Sequence, residues 1–183
     1  MTVRPGVGPV PIAAGSLARD IATALEATDA PGPASVGLIL ADDAELARLN
    51  EEHLGGSGPT DVLSFPLLPP SAYPAHEAEP ADRRAEAVEP ATPAFRLPAG
   101  RRRHLGDIVV SLERASEQAR IGRGGHTGDV AWSVAEELRL LVTHGTLHLC
   151  GWDHAEPDEE AGMRALERRL LGRRRRRRPG VRA

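Results

Sequence analysis

Three histidines grouped around one glycine constrain this chain more than any other feature of its sequence. His144 and His148 lie four residues apart in an apolar run, and His154 follows Gly151 by three positions. At about 100° per residue, the first two imidazoles leave one face of a helix, one turn apart. Gly151 can adopt the left-handed conformation that ends a helix and reverses the chain. The sequence therefore predicts a helix that ends at this glycine and a return that brings His154 back to the other two histidines.

These three side chains form the ligand set typical of a catalytic zinc site. Three neutral imidazoles and one open position for water are characteristic of such sites, whereas a structural site has a fourth protein ligand. Cys150 is the only cysteine, and on a continuous helix it lies about 200° from His148 and about 240° from His144. We expect Cys150 to be a small buried apolar residue. We expect one zinc ion per chain, held by His144, His148 and His154.

The same histidine spacing occurs in the metzincin zinc peptidases. In those enzymes a glutamate follows the first histidine and serves as the general base. Here that position is Gly145, which leaves the peptidase mechanism without its proton acceptor. A metzincin-like zinc peptidase is therefore the weaker alternative.

Composition favours a protein of one domain that has no membrane span and resides in a reducing compartment. The 183 residues are 40% hydrophobic, which suffices for one core, and no run approaches roughly eighteen consecutive apolar residues. A single cysteine excludes an intramolecular disulfide framework and fits a cytosolic protein. The segment from Met1 to Ala14 has no sustained apolar stretch and does not resemble a signal peptide. We expect a cytoplasmic protein.

Apolar periodicity and turn residues predict three strands and five helices. The strands are residues 35–41, 60–66 and 105–112, and the helices begin near Ser16, Asp42 or Asp43, Ser111, Asp129 and Pro157. The last helix is expected to end near Gly172. Strands and helices do not alternate strictly, which indicates an α+β fold of one domain over residues 1–172.

Two segments lie outside this pattern. Residues 67–104 contain seven prolines and nine alanines, and we interpret them as a mobile surface insertion that cannot bury enough apolar surface to become ordered. The net charge is −3, yet ten arginines and one glutamate lie between Arg164 and Ala183. Residues 173–183 are predicted to be a disordered, solvated tail, with contact to nucleic-acid phosphates as the alternative.

Three motifs together resemble the YbeY family of bacterial metal-dependent endoribonucleases. They are the histidine segment 144–154, the sequence Pro-Thr-Asp-Val-Leu-Ser-Phe-Pro at 59–66, and Leu-Gly-Asp-Ile-Val-Val-Ser at 105–111. The resemblance runs from about Ser16 to Gly172, and Trp152 stands where the family usually has tyrosine. It implies a small α+β fold with a four-stranded mixed sheet packed with about five helices, and a metal site at the end of a long helix. The fourth strand is expected between Met1 and Ile12.

The resemblance also implies an activity and partners. The activity is zinc-dependent cleavage of single-stranded RNA. It would serve ribosomal RNA processing, including 16S rRNA 3′ end maturation, and ribosome quality control. The partners would be ribosomal RNA and ribosomal subunits. Asp153 is a candidate for orienting a ligand histidine, or else a turn residue beside Gly151. Thr60, Asp61 and Ser64 are candidate substrate-binding residues. The alternatives are a turn cap for Asp61 and an outward strand position for Ser64.

One position departs from the family's pattern. Leu54 stands where members commonly have an arginine that is thought to face the metal cleft, and leucine can neither bind phosphate nor stabilise developing charge. The arginines that can replace it in space are Arg48, Arg101, Arg102 and Arg103. Leu54 favours a second hypothesis, a non-catalytic zinc-containing ribosome-assembly factor. Asp107 is a further candidate carboxylate, although a strand-start aspartate that binds loop amides is the simpler interpretation.

Overall fold

Four strands form one mixed sheet: β1 (Thr2–Val3), β2 (Ala34–Ala41), β3 (Val62–Pro66) and β4 (Arg103–Ser111). The computed structural model describes residues 1–76, 98, 100–121, 133–154 and 156–177, and it orders the strands β1, β2, β4, β3. β1 and β4 run parallel to β2, and β3 runs antiparallel to β4. The expected fourth strand is β1, so the predicted four-stranded mixed sheet is confirmed.

The described residues contain five helices, as predicted, and these pack on the sheet and on one another. They are α1 (Ala14–Ala27), α2 (Asp43–Leu54), α3 (Leu112–Ile121), α4 (Val134–Leu149) and α5 (Pro157–Arg177), with a short 3₁₀ turn at Pro70–Ala72. On one sheet face, Ile108 packs with Leu138 of α4 and with apolar residues of α1 and α3. On the other face, Val109 packs with Leu46 of α2. Successive side chains of β4 thus point to opposite faces of the sheet, and α4 lies directly on one of these faces.

Within the described residues, no helix combines the length and the apolar character needed to cross a membrane.

Side-chain caps define where three of the helices begin. Asp42 accepts a hydrogen bond from the Glu45 amide at 2.8 Å, as predicted for the start of α2. Ser111 likewise accepts one from the Arg114 amide at 3.0 Å, at the start of α3. α4 begins at Val134, five residues after the predicted start, because Ser133 forms a capping box with Glu136. The predicted start at Asp129 lies outside the described residues.

Three further boundaries differ from the predictions. α1 begins at Ala14, before the predicted start, so Ser16 lies inside the helix, where its hydroxyl accepts a hydrogen bond from Arg19 instead of capping. β3 begins at Val62, after Thr60 and Asp61. α5 continues past Gly172 to Arg177, since Gly172 does not have a left-handed backbone and arginine is a good helix former. The backbone of residues 173–177 is therefore helical, which corrects the predicted start of the tail, and residues 178–183 lie outside the described part.

The first part of the predicted insertion packs on the domain. The Leu67 amide donates to the Leu105 carbonyl at 2.9 Å, and the Tyr73 side chain is buried. The His76 ring stacks on Trp152 with ring centroids 3.8 Å apart and planes inclined by 9°. Two aromatic rings thus pack residues 67–76 on the domain, a stretch that has no apolar periodicity, and the mobility expected for residues 67–104 stays a prediction. Most of the remainder, residues 77–97, lies outside the described part.

Candidate metal centre

The last two turns of α4 carry His144 and His148 on one face, as their spacing predicts. Their Nε2 atoms are 3.1 Å apart, and their ring planes meet at 82°. Most of the helix surface between and behind them is buried, including Gly145, Thr146 and Leu147. Both imidazoles are half-buried and turn their Nε2 atoms toward a shared point.

A Schellman motif ends this helix and returns the chain to the two histidines. Gly151 has a φ of +84°, its amide donates to the His148 carbonyl, and the Trp152 amide donates to the Leu147 carbonyl, both at 3.1 Å. The reversal brings the ring of His154 within 5.0 Å of that of His148, measured between centroids. One nitrogen from each of the three histidines lies within 4.8 Å of the others. The glycine therefore assembles the cluster that the sequence predicts.

The Nδ1 atoms of the two helical histidines point away from the cluster and are hydrogen-bonded. His148 Nδ1 lies 2.8 Å from the Trp152 carbonyl oxygen. A carbonyl only accepts, so His148 Nδ1 carries a proton and donates. His144 Nδ1 lies 2.7 Å from a carboxylate oxygen of Glu167, on α5. Each Nε2 is thus turned to the centre of the cluster, where a lone pair can bind a cation.

Burial and neighbouring charge keep His148 neutral. Burial lowers its pKa to about 4, and the adjacent His144 and His154 add to this effect, while the hydrogen bond to Trp152 and the Asp153 carboxylate oppose it. A neutral imidazole is the form that binds a metal ion. Low basicity therefore leaves this nitrogen available as a ligand at neutral pH.

This donor set fits a transition metal of the imidazole-binding class. Two Nε2 atoms approach to 3.1 Å, which a cation between them stabilises and which two bare lone pairs disfavour. Among the described residues, the donor group consists of imidazole nitrogens without a thiolate or carboxylate, which suits zinc and similar ions better than magnesium or calcium. The exposure of His154 leaves one side open to solvent. Cys150 is 2% exposed and is not part of the group, as the helix-face argument predicts.

The three histidines lie in a cleft of about 440 Å³. Its walls come from the end of α2, from β3 with the residues just before it, and from the turn after α4. The lining residues are Leu54, Thr60, Asp61, Val62, Leu63, Ser64, Pro66, Pro70, His144, His148, Gly151, Trp152, Asp153 and His154. All three candidate substrate-binding residues, and Leu54, therefore face the same space as the histidines.

The polar groups of two of these residues are engaged inside the protein. Asp61 accepts from the Val62 amide at 2.8 Å and from the Gln118 side chain at 3.0 Å. The Ser64 hydroxyl donates to the Gly145 carbonyl at 3.0 Å. Asp61 thus caps the start of β3, and Ser64 ties β3 to α4. Their contacts explain how the cleft wall is held beside the histidines.

The remaining sequence candidates have other roles, although Asp153 also lines the cleft. Asp153 accepts from the backbone amide of His154 at 2.8 Å, which is the contact of a turn residue. Asp107 pairs with His104 at 3.2 Å and lies outside the cleft. None of the arginines proposed to replace the family's usual arginine lines the cleft; Arg48 instead pairs with Glu52 on its own helix.

Sequence reasoning missed Glu167. Its buried carboxylate lies 23 residues from His144 along the chain, so no local spacing links the two. The available signal was its position on α5, where Glu167 falls on the stripe formed by Met163, Leu166 and Leu170. A charged residue on the apolar face of a helix indicates a specific buried partner.

Gly145 fills the position of the metzincin general base, and the structure explains why it is glycine. A Cβ atom there would lie 2.8 Å from Ile108 Cγ2 and 3.0 Å from the Ser64 hydroxyl. This face of α4 packs directly on the sheet, away from the cluster. No acidic side chain fits at residue 145, which argues against a metzincin-like peptidase.

Comparison with known proteins gives one consistent family. The sequence model of the family described as Endoribonuclease YbeY matches residues 12–175. A protein with that name from Salinispora tropica is 42% identical over 138 residues, which are 75% of this chain and 73% of the relative. Relatives with the same name from Mycolicibacterium smegmatis and Roseiflexus castenholzii are 42% and 37% identical; these matches cover 80% and 84% of this chain, and 67% and 79% of the relatives.

Proposed function

This chain belongs to the YbeY endoribonuclease family, and from that premise we propose that it is a zinc-dependent endoribonuclease that cleaves single-stranded RNA. We further propose that it acts in the cytoplasm on ribosomal RNA, in 16S rRNA 3′ end maturation and in ribosome quality control, with ribosomal subunits as partners. The observation that carries the zinc proposal is the convergence of His144 and His148, with Nε2 atoms 3.1 Å apart, beside His154 in an open cleft.

The three histidines would hold the metal, and the cleft would hold the RNA strand. The chemistry that zinc supplies when bound is Lewis acidity, which acidifies water and polarises a phosphoryl group. The Schellman turn fixes His154 relative to α4, and the hydrogen bonds at Nδ1 fix the orientation of His144 and His148. Ser64 ties β3 to α4, and Asp61, just before β3, accepts a hydrogen bond from Gln118 of α3; both contacts keep the cleft wall in place. The chain thus contributes a preorganised site with one open side.

The test is cleavage of single-stranded RNA by the full chain after chelator treatment and zinc reloading. We expect chelation to abolish cleavage and one equivalent of zinc to restore it. His148→Ala should lower the single-turnover rate at least about 100-fold, because one of three ligands is lost. His104→Ala is the matched control, since His104 lies outside the cleft, and it should cleave like the parent. Cleavage that persists in chelator would contradict the proposal, and hydrolysis of a peptide library would favour the peptidase alternative.

A second candidate function has one observation in its favour. Leu54 lines the cleft with 59% of its surface exposed, and the part of the cleft that the structure describes contains no arginine. A cleft without a guanidinium binds an RNA phosphate less strongly. This favours a zinc-containing ribosome-assembly factor that does not cleave RNA. Zinc binding without any cleavage of single-stranded RNA would support that function instead.

A further inference from the structure

We propose that Glu167 is a positioning residue for the candidate metal centre, which makes this inference depend in part on the proposed function. Its carboxylate accepts a hydrogen bond from Nδ1 of His144, and the nitrogen and oxygen atoms are 2.7 Å apart. That contact holds the imidazole in the tautomer whose Nε2 lone pair faces His148 and His154. Glu167 belongs to α5, so the last helix of the domain sets the orientation of a ligand on α4.

The environment of Glu167 requires a specific partner. Its side chain is only 8% exposed, and it lies among Met163, Leu166 and Leu170 on the buried stripe of α5. A carboxylate removed from water must be compensated by hydrogen bonds or opposite charge. Within the described part of the chain, His144 is the one hydrogen-bond partner of this carboxylate. The contact is therefore the reason that a charged residue is tolerated on an apolar stripe.

The two helical histidines are oriented by different elements. His148 donates to a backbone carbonyl of the turn that ends α4, so its orientation follows from the helix end itself. His144 is oriented by a side chain from another helix. A carboxylate acceptor also adds negative charge close to a ligand, which strengthens the bond to a cation. Substitution of Glu167 should therefore affect His144 and leave His148 unchanged, which provides an internal control.

The first measurement is the tautomer of each histidine in the chelator-treated full chain, by long-range ¹H–¹⁵N NMR at neutral pH. We expect His144 to carry its proton on Nδ1 in the parent. Leucine at position 167 would match the apolar residues of the α5 stripe. In Glu167→Leu, the His144 proton should therefore shift toward Nε2, while His148 keeps its proton on Nδ1. Glu167→Gln retains an accepting oxygen, so it should retain the parent tautomer. A parent protein with the His144 proton on Nε2 would overturn the proposal.

The second measurement is zinc affinity by chelator competition. Glu167→Leu should weaken zinc binding by roughly 10- to 100-fold, and Glu167→Gln by less, because the carboxylate orients the ligand and adds charge. Glu160→Gln is the matched control on the same helix, since the Glu160 side chain is half-buried and pairs with Arg164 away from the cleft, and it should bind zinc like the parent. Equal zinc affinity in Glu167→Leu and the parent would overturn the proposal.

The two measurements separate this inference from the proposed nuclease. The tautomer of His144 is read in the metal-free chain and does not require catalysis. A chain that binds zinc with the expected Glu167 dependence but cleaves no RNA would support the positioning role and contradict the nuclease. If the Glu167→Leu variant cleaves RNA at the parent rate and binds zinc with the parent affinity, the nuclease would be supported and the positioning role contradicted.

Discussion

At the scale of single residues, the site depends on which ring nitrogen of each histidine carries the proton. The Trp152 carbonyl requires a proton on His148 Nδ1, and burial keeps the ring neutral by lowering its pKa. Its Nε2 is thereby left as a lone-pair donor. The same burial makes the metal-free protein sensitive to acid, because His148 binds a proton more readily in the unfolded chain than in the folded one.

The first prediction concerns the pH dependence of stability in the metal-free chain. The pKa of His148 is about 4 when folded and about 6.5 when unfolded, so the unfolded state binds more protons between these values. The free energy of unfolding should therefore decrease as the pH falls from about 6.5 to 4, by up to about 3 kcal/mol from this residue. Urea denaturation across this pH range measures the effect. His148→Gln removes the titrating group, and an unchanged pH slope in that variant would contradict the account.

At the scale of elements, the turn after α4 is held by the segment that follows β3. A Cβ atom on Gly151 would lie 3.3 Å from Pro70, and Trp152 stacks on His76. Tyr73 anchors the segment between these two contacts, at 8% exposure. The segment therefore supports the backbone that orients His148, although it contributes no ligand.

The second prediction tests this anchoring through Tyr73. Its hydroxyl has no hydrogen-bond partner within the described part of the chain, and burial raises its pKa to about 12. Tyr73→Phe should therefore keep the free energy of unfolding within about 0.5 kcal/mol of the parent. Tyr73→Ala should lower it by about 3 kcal/mol, because a large buried ring is lost. Chemical denaturation compares the two variants, and a Tyr73→Ala protein as stable as the parent would show that the ring is not buried.

Local sequence signals account for some of these elements and not for others. The spacing of His144 and His148, and the glycine at 151, predicted the end of α4 and the return of His154, because helix geometry and left-handed caps are local properties. The packing of Tyr73 and His76 was missed, since isolated aromatic residues in a proline-rich segment leave no periodic pattern. Glu167 was missed because its contact with His144 joins two helices.

At the scale of the whole molecule, the cleft exists because separate parts of the chain converge on the end of α4. β3 contributes Ser64, which binds the Gly145 carbonyl across 81 residues of sequence. The end of α2 contributes Leu54, and α5 contributes Glu167 from behind the histidines. The family resemblance predicted the four-stranded sheet that brings these parts together. The side chains that line the cleft set its charge, and the lining side chain at position 54 is an apolar leucine.

The third prediction concerns that apolar position. Leu54→Arg places a cation in the cleft and should raise the single-turnover rate of RNA cleavage by roughly tenfold, because a guanidinium stabilises charge on the reacting phosphate. Ile121→Arg adds the same charge at an exposed residue outside the cleft, and it should leave the rate unchanged. Equal rates for Leu54→Arg and the parent would show that a cation at this position does not limit cleavage.

The most direct test of the account is the rate of single-stranded RNA cleavage as zinc is added back to the chelator-treated full chain. We expect the rate to rise linearly and reach a plateau at one zinc per chain. Cys150→Ser should give the same plateau, because that thiol is buried away from the cluster, and His154→Ala should give no plateau at one equivalent. Cleavage that is independent of added zinc, or a Cys150→Ser protein that no longer retains zinc, would contradict a site made by these three histidines.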